Sequence, residues 1–148
     1  MSMGRSDAAV QLHGRGCSCA QAVLAVFAPD LGMDQEDALR IASAFGGGMG
    51  RTDGVCGTVT GACMVLGLRS DMRRPEDKPA KDSAYARMQE FDRRFRARHG
   101  QTGCTGLLGV NLSRPEGLQA ARDRALFSTR CNDLIRSAVE ILEEMAAS

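Results

Sequence analysis

Tryptophan is absent from this 148-residue chain, tyrosine occurs once, and aromatic residues make up only 4%. The core must therefore be built from Leu, Val, Ile, Met and Ala. The stacking platforms on which nucleic-acid readers lay bases are missing. Charge of one sign is equally scarce. Nineteen Lys and Arg against 18 Asp and Glu leave a net charge of +1, with no long-range field toward nucleic acid or an anionic membrane. No apolar run is long enough to span a bilayer. The opening Met1-Ser2-Met3-Gly4-Arg5-Ser6-Asp7 lacks the apolar stretch of a secretory signal, so the expected compartment is the cytoplasm. Histidine is limited to His13 and His99, in unrelated segments, and no Ser/His/Asp set can be argued from them. Each lies a few residues ahead of a cysteine, Cys17 and Cys104, but a surface histidine near a helix end is the commoner case and neither is assigned.

What is present suits one soluble domain covering residues 1–148, with 1–4 as a flexible tail. The 43% hydrophobic and 25% charged content is ordinary. A chain this long buries roughly two-thirds of its unfolded surface and needs no disulfide scaffold.

The periodicity predicts an all-α, single-domain bundle of about six or seven helices. Asp34 is a candidate N-cap, followed by the apolar stripe Ala38, Ile41, Ala42 and Phe45. Ala84, Met88, Phe91 and Phe95 form another stripe. Leu134, Ala138, Ile141 and Met145, widened by Ile135 and Leu142, form a third. Ser113-Arg114-Pro115-Glu116 fits a capping box opening a helix through Leu118, Ala121 and Ala125. A helix from Cys19 through Phe27 ends before Pro29. Val55 to Leu68 is apolar nearly all round; it has strand-prone residues but no partner strand, and reads as a buried helix. Residues 69–80, with Pro75 and Pro79, read as an exposed connection. The arginines between 69 and 98 are interleaved with Asp71, Glu76, Asp77, Asp82, Glu90 and Asp92, which argues for a solvated face rather than a nucleic-acid surface.

Phe45-Gly46-Gly47-Gly48-Met49-Gly50-Arg51 is neither a Walker loop nor a dinucleotide fingerprint, since it lacks Gly-Lys-Ser/Thr and follows no strand. Its simplest reading is a helix end followed by a mobile turn. The sharper one is a backbone that passes close to something.

Six cysteines stand at 17, 19, 56, 63, 104 and 131, without a single Cys-x-x-Cys. That counts against a thioredoxin-like site and against zinc knuckles. Cys19 and Cys56 begin helices, and Cys131 follows Ser128 and Thr129, both able to cap the last helix. Cys104 sits in a loop or short turn. Helix starts stabilise anions and lower a thiol pKa. Cys63 shares a face with Cys56, about 10 Å further along the axis, and reads as core. Cys131 continues the apolar row of Leu134 and also suits a core position. Spacing alone leaves a site and a scatter of core thiols equally open.

Phe45 to Arg51, followed by Val55-Cys56-Gly57-Thr58-Val59-Thr60-Gly61-Ala62, resembles the central block of the redox-active family C_GCAxxG_C_C. The likeness extends upstream to Cys19-Ala20-Gln21-Ala22-Val23-Leu24 and downstream to Cys104 and Cys131. The resemblance implies that Cys19, Cys56, Cys104 and Cys131 are the family's four cysteines, while Cys17 and Cys63 inherit nothing. Thr58 departs from the usual Cys-Gly-Ala, and its hydroxyl, two residues after Cys56, can hydrogen-bond either a thiolate or a helix carbonyl, which implies tuning rather than loss. Gly57 and Gly61 lie on one helix face and imply that another backbone packs closely there.

The implied function is electron transfer or thiol redox chemistry, as an oxidoreductase or an electron-transfer component with an unidentified redox partner protein. In one version the four thiols hold an iron–sulfur cluster or another metal, with Gly47, Gly48, Gly50 and Gly57 letting amides approach the sulfurs. In another there is no metal, and Cys56 is the attacking thiolate resolved by one of the other three. The alternative class is a structural zinc or accessory module without turnover.

Overall fold

The computed structural model describes residues 3–147. Met1 and Ser2 of the expected tail lie outside the described residues; Met3 and Gly4 precede the first helix. The chain is helical, with α1 (Arg5–Gly14), α2 (Cys19–Ala25), α3 (Gln35–Ile41), α4 (Gly46–Met49), α5 (Gly57–Arg69), α6 (Lys78–His99), α7 (Cys104–Leu108), α8 (Pro115–Asp123) and α9 (Arg130–Ala147). This exceeds six or seven helices because Cys104 opens a helix of its own and the glycine run forms a further short element.

The centre is α2. Ser18 accepts from the Gln21 amide at 3.2 Å while the Gln21 side chain accepts from the Ser18 amide at 2.9 Å, a reciprocal cap that starts the helix. Ala20, Ala22, Val23 and Leu24 are then buried on every side. Helix α5 lies against α2. A Cβ on Gly57 would stand 2.9 Å from the Ala20 nitrogen, and one on Gly61 would stand 2.8 Å from the Ala20 carbonyl oxygen. The two glycines thus set the helix separation, as their spacing implied.

The last helix closes the core. Leu134, Ile135, Ala138, Ile141, Leu142 and Met145 are all buried, the row read from the sequence. The long α6 is capped by Asp77, which accepts from the Ala80 amide at 3.1 Å, and contributes Phe91 and Phe95 to the core. Its outer face is clasped to α9 by Arg94 with Glu144 and by Arg98 with Glu140 and Glu144, at 2.9–3.3 Å. Such half-exposed pairs contribute about 0–1 kcal/mol each.

Four local expectations are corrected. Asp34 caps α3 through the Asp37 amide, but the helix ends at Ile41, whose side chain is 57% exposed, and Phe45 lies beyond it. Ser113 does not cap α8; its amide and hydroxyl both turn to Asn111 Oδ1, and Arg114 takes the cap position. Ala125 is outside that helix with φ of 54°, and the hydroxyls of Ser128 and Thr129 donate to its carbonyl instead of capping α9. Cys63 is exposed, because α5 buries Val59, Ala62, Val65 and Leu66 and turns Cys63 away.

Candidate functional site

Two backbone devices assemble the site. Just before α5, Val55 pairs with Gly103 in an isolated antiparallel bridge. The Cys56 amide donates to the Thr102 carbonyl at 2.8 Å, and the Cys104 amide donates to the Gly54 carbonyl at 3.0 Å. The starts of α5 and α7 are thereby held side by side. Thr105 adds a side-chain bond to Asp53 across the same junction. The strand-prone character of Val55 is thus expressed in one residue of pairing, and the helix follows.

The second device is the glycine run. Gly47, Gly48, Met49, Gly50 and Arg51 have φ of 65°, 76°, 63°, 71° and 64°, so the chain winds left-handed for five consecutive residues. The Gly50, Arg51 and Thr52 amides bond the carbonyls four residues back. Left-handed winding costs non-glycine residues about 1–2 kcal/mol each, which is why glycine fills three of the five places. The turn also passes close to a neighbour: a Cβ on Gly48 would lie 2.8 Å from Cys104 Cβ. The close-approach reading of these glycines replaces that of a simple helix end.

These elements enclose a cavity of about 590 Å³. Cys19, Cys56, Cys104 and Cys131 all line it, as do Gly47, Gly48, Gly50 and Gly57. Cys17 lines it too, partly exposed, whereas Cys63 lies elsewhere. Leu107, Leu108, Leu112 and Phe127 form an apolar wall; Ser18, Gln21, Ser43 and Arg51 are polar. Among the described residues, the amides of Gly46, Gly47 and Gly48 have no hydrogen-bond partner, so donors are available where these glycines meet the cavity.

The four thiols differ in electrostatics. Contact with the Cys131 thiol, with burial and the neighbouring sulfurs, raises the Cys19 pKa well above the thiol range. The same contact holds the Cys131 pKa below its ordinary value; burial opposes this and Arg130 assists. Burial pushes Cys104 up to about 12, with the Cys56 and Cys131 sulfurs adding to it. Cys56 is raised by burial, against the pull of Thr58, whose Oγ1 lies 3.1 Å from Cys56 Sγ, and of the Val59 amide. The lowering expected of a helix start is thus not what sets Cys56, which burial raises. Desolvation outweighs the amides at Cys56, while Cys131 is held below its ordinary value.

All six cysteines are free thiols. Four thiols are the donor chemistry of zinc or an iron–sulfur cluster. Among the described residues, no group of three or more His, Cys, Asp or Glu is drawn together closely enough to hold a metal ion as the side chains stand.

Both histidines are tied into the fold. His99 lies tilted against Phe95, with ring centroids 4.7 Å apart, and bonds Ser137 at 2.9 Å, away from the cavity. His13 lines the cavity and meets Asn132. Arg51 and Asn132 had no signal in the sequence beyond adjacency to the glycine run and to Cys131.

No helix among the described residues is long and apolar enough to cross a membrane. A comparison with curated proteins and one with solved structures each found no match. Residues 17–145 match the family model described as "Putative redox-active protein (C_GCAxxG_C_C)", and the chain belongs to that family.

Proposed function

We propose that the cavity carries out reversible thiol–disulfide chemistry, with Cys131 the attacking sulfur and Cys19 the resolving one. The reading is supported by the placement of Cys19 and Cys131 on one cavity, where each acts on the other's titration, Cys19 being raised and Cys131 lowered. A thiolate is the nucleophile in disulfide exchange, and the resolving thiol must stand next to it. The Cys131 thiolate attacks one sulfur of a disulfide substrate, forming a mixed disulfide and releasing one thiol. Cys19 then attacks Cys131, releases the second thiol and closes a Cys19–Cys131 bridge. Two electrons pass from the protein to the substrate, and a reducing partner returns them. Cys56 and Cys104, both raised, stay protonated through the cycle.

The test is protein prepared without oxygen and equilibrated across glutathione redox buffers. The reading expects two of the six thiols to be lost and recovered reversibly, without bound metal or acid-labile sulfide. Six thiols that never change, or stoichiometric metal held by the cysteines, would contradict it.

A further inference from the structure

His13 lies in the last turn of α1, at its C-terminal end, on the wall of the cysteine cavity. Its Nδ1 is 2.9 Å from Asn132 Oδ1. The other end of that amide is fixed, because Asn132 Nδ2 donates to the Ser128 carbonyl at 2.9 Å. A carbonyl only accepts, so the group facing Ser128 is the NH2 and the atom facing His13 is the amide oxygen. That oxygen also only accepts, so His13 Nδ1 carries the hydrogen. In the neutral ring the lone pair is then on Nε2, for which no hydrogen-bond partner exists among the described residues. Asn132 directly follows Cys131 in the first turn of α9, so one turn of helix presents the thiol and sets the histidine tautomer. His13 precedes the family match, which begins at residue 17.

We infer that His13 Nε2 is the proton-transfer group of this cavity, that Asn132 is its positioning residue, and that the substrate is a small disulfide with a basic leaving thiol. The inference rests on the Cys131–Cys19 reading above. The cavity volume of about 590 Å³ is that of a small-molecule site. Nε2 takes up the proton that the Cys131 thiol releases on becoming the attacking thiolate. The substrate S–S bond breaks as the Cys131–substrate bond forms, and the imidazolium returns the proton to the departing thiolate. The same exchange serves Cys19 in the resolving step, so the products are two thiols and one protein disulfide. The ionisable groups sharing the cavity with His13 are Cys17, Cys19, Cys56, Cys104, Cys131 and Arg51; Arg15 follows on its own segment. Asp7 and Arg136, where α1 meets α9, are paired with each other. Asp133 acts on His99 instead.

The test compares two probes, hydroxyethyl disulfide, whose leaving thiolate needs a proton, and a nitroaryl disulfide, whose leaving thiolate does not. In His13→Gln the hydroxyethyl rate is expected to fall on the order of 100-fold, with a much smaller change for the nitroaryl probe. Asn132→Asp, which still accepts from Nδ1, is expected to retain more of the rate than Asn132→Leu. Equal slowing of both probes, or of neither, overturns the role of His13 while leaving the dithiol reading intact. Wild-type protein that forms no Cys19–Cys131 bridge with either probe overturns both.

Discussion

A methyl group on Gly48 would stand 2.8 Å from Cys104 Cβ and 3.2 Å from the Gly54 nitrogen. The left-handed turn is thus pressed against the segment that carries a cavity thiol, and no side chain fits between them. Gly48→Ala combines a φ of +76° with that overlap. It should destabilise the protein by about 2–5 kcal/mol, the sum of the left-handed and overpacking costs. Urea denaturation measures this, and an unchanged midpoint would contradict the close packing described.

The glycines of α5 should divide sharply. Gly61→Ala gains about 1 kcal/mol of helix propensity but drives a methyl to within 2.8 Å of the Ala20 carbonyl oxygen, so a net loss of about 1–2 kcal/mol is expected. Gly67→Ala, on the same helix with nothing within 4 Å, should stabilise by about 0.5–1 kcal/mol. Thermal melts of the two variants should move in opposite directions.

Thr58→Val removes the hydroxyl that lies beside Cys56 while keeping the side-chain shape. The Cys56 pKa, already raised by burial, should rise further, because Thr58 pulls it down. Alkylation of Cys56 followed against pH should shift to more alkaline midpoints in the variant. A shift in the acid direction would show that Thr58 favours the thiol and not the thiolate.

Raised thiol pKa values make the fold sensitive to alkali. A group that binds its proton more tightly when folded stabilises the protein below its unfolded pKa and loses that contribution as pH rises toward its folded one. For Cys104 the window runs from about 9 to about 12, the ordinary and the folded values. Stability should fall through that range, and Cys104→Ala should flatten the decline in urea midpoints measured at successive pH values.

The all-α class, the buried row of α9, the Asp34 cap and the α2–α5 contact through Gly57 and Gly61 were legible because each is a matter of period or of a local pair. A helical period reports one buried face, and it misplaced Cys63 because its stripe ran one residue off the face that α5 buries. The Val55–Gly103 bridge was not legible, since a single residue of pairing between distant segments leaves no alternation to detect. Nor was the meeting of His13 and Asn132, 119 residues apart. The glycine run announced unusual backbone, but not its left-handed sense or its pressure on Cys104. Helix starts at Cys19, Cys56 and Cys131 suggested lowered thiol pKa values. Burial reversed that at Cys56, the neighbouring Cys131 thiol together with burial reversed it at Cys19, and the Cys19 thiol produced it at Cys131. Desolvation and sulfur–sulfur proximity depend on the tertiary structure and have no sequence signature.

The central claim concerns which two sulfurs exchange electrons, and disulfide mapping reads it directly. Wild-type protein oxidised mildly and digested with its free thiols blocked should yield one bridged peptide pair, joining Cys19 to Cys131. Cys19→Ala and Cys131→Ala should each abolish it, and Cys56→Ala and Cys104→Ala should leave it in place. A bridge involving Cys56 or Cys104, or none under any oxidant, would contradict the account.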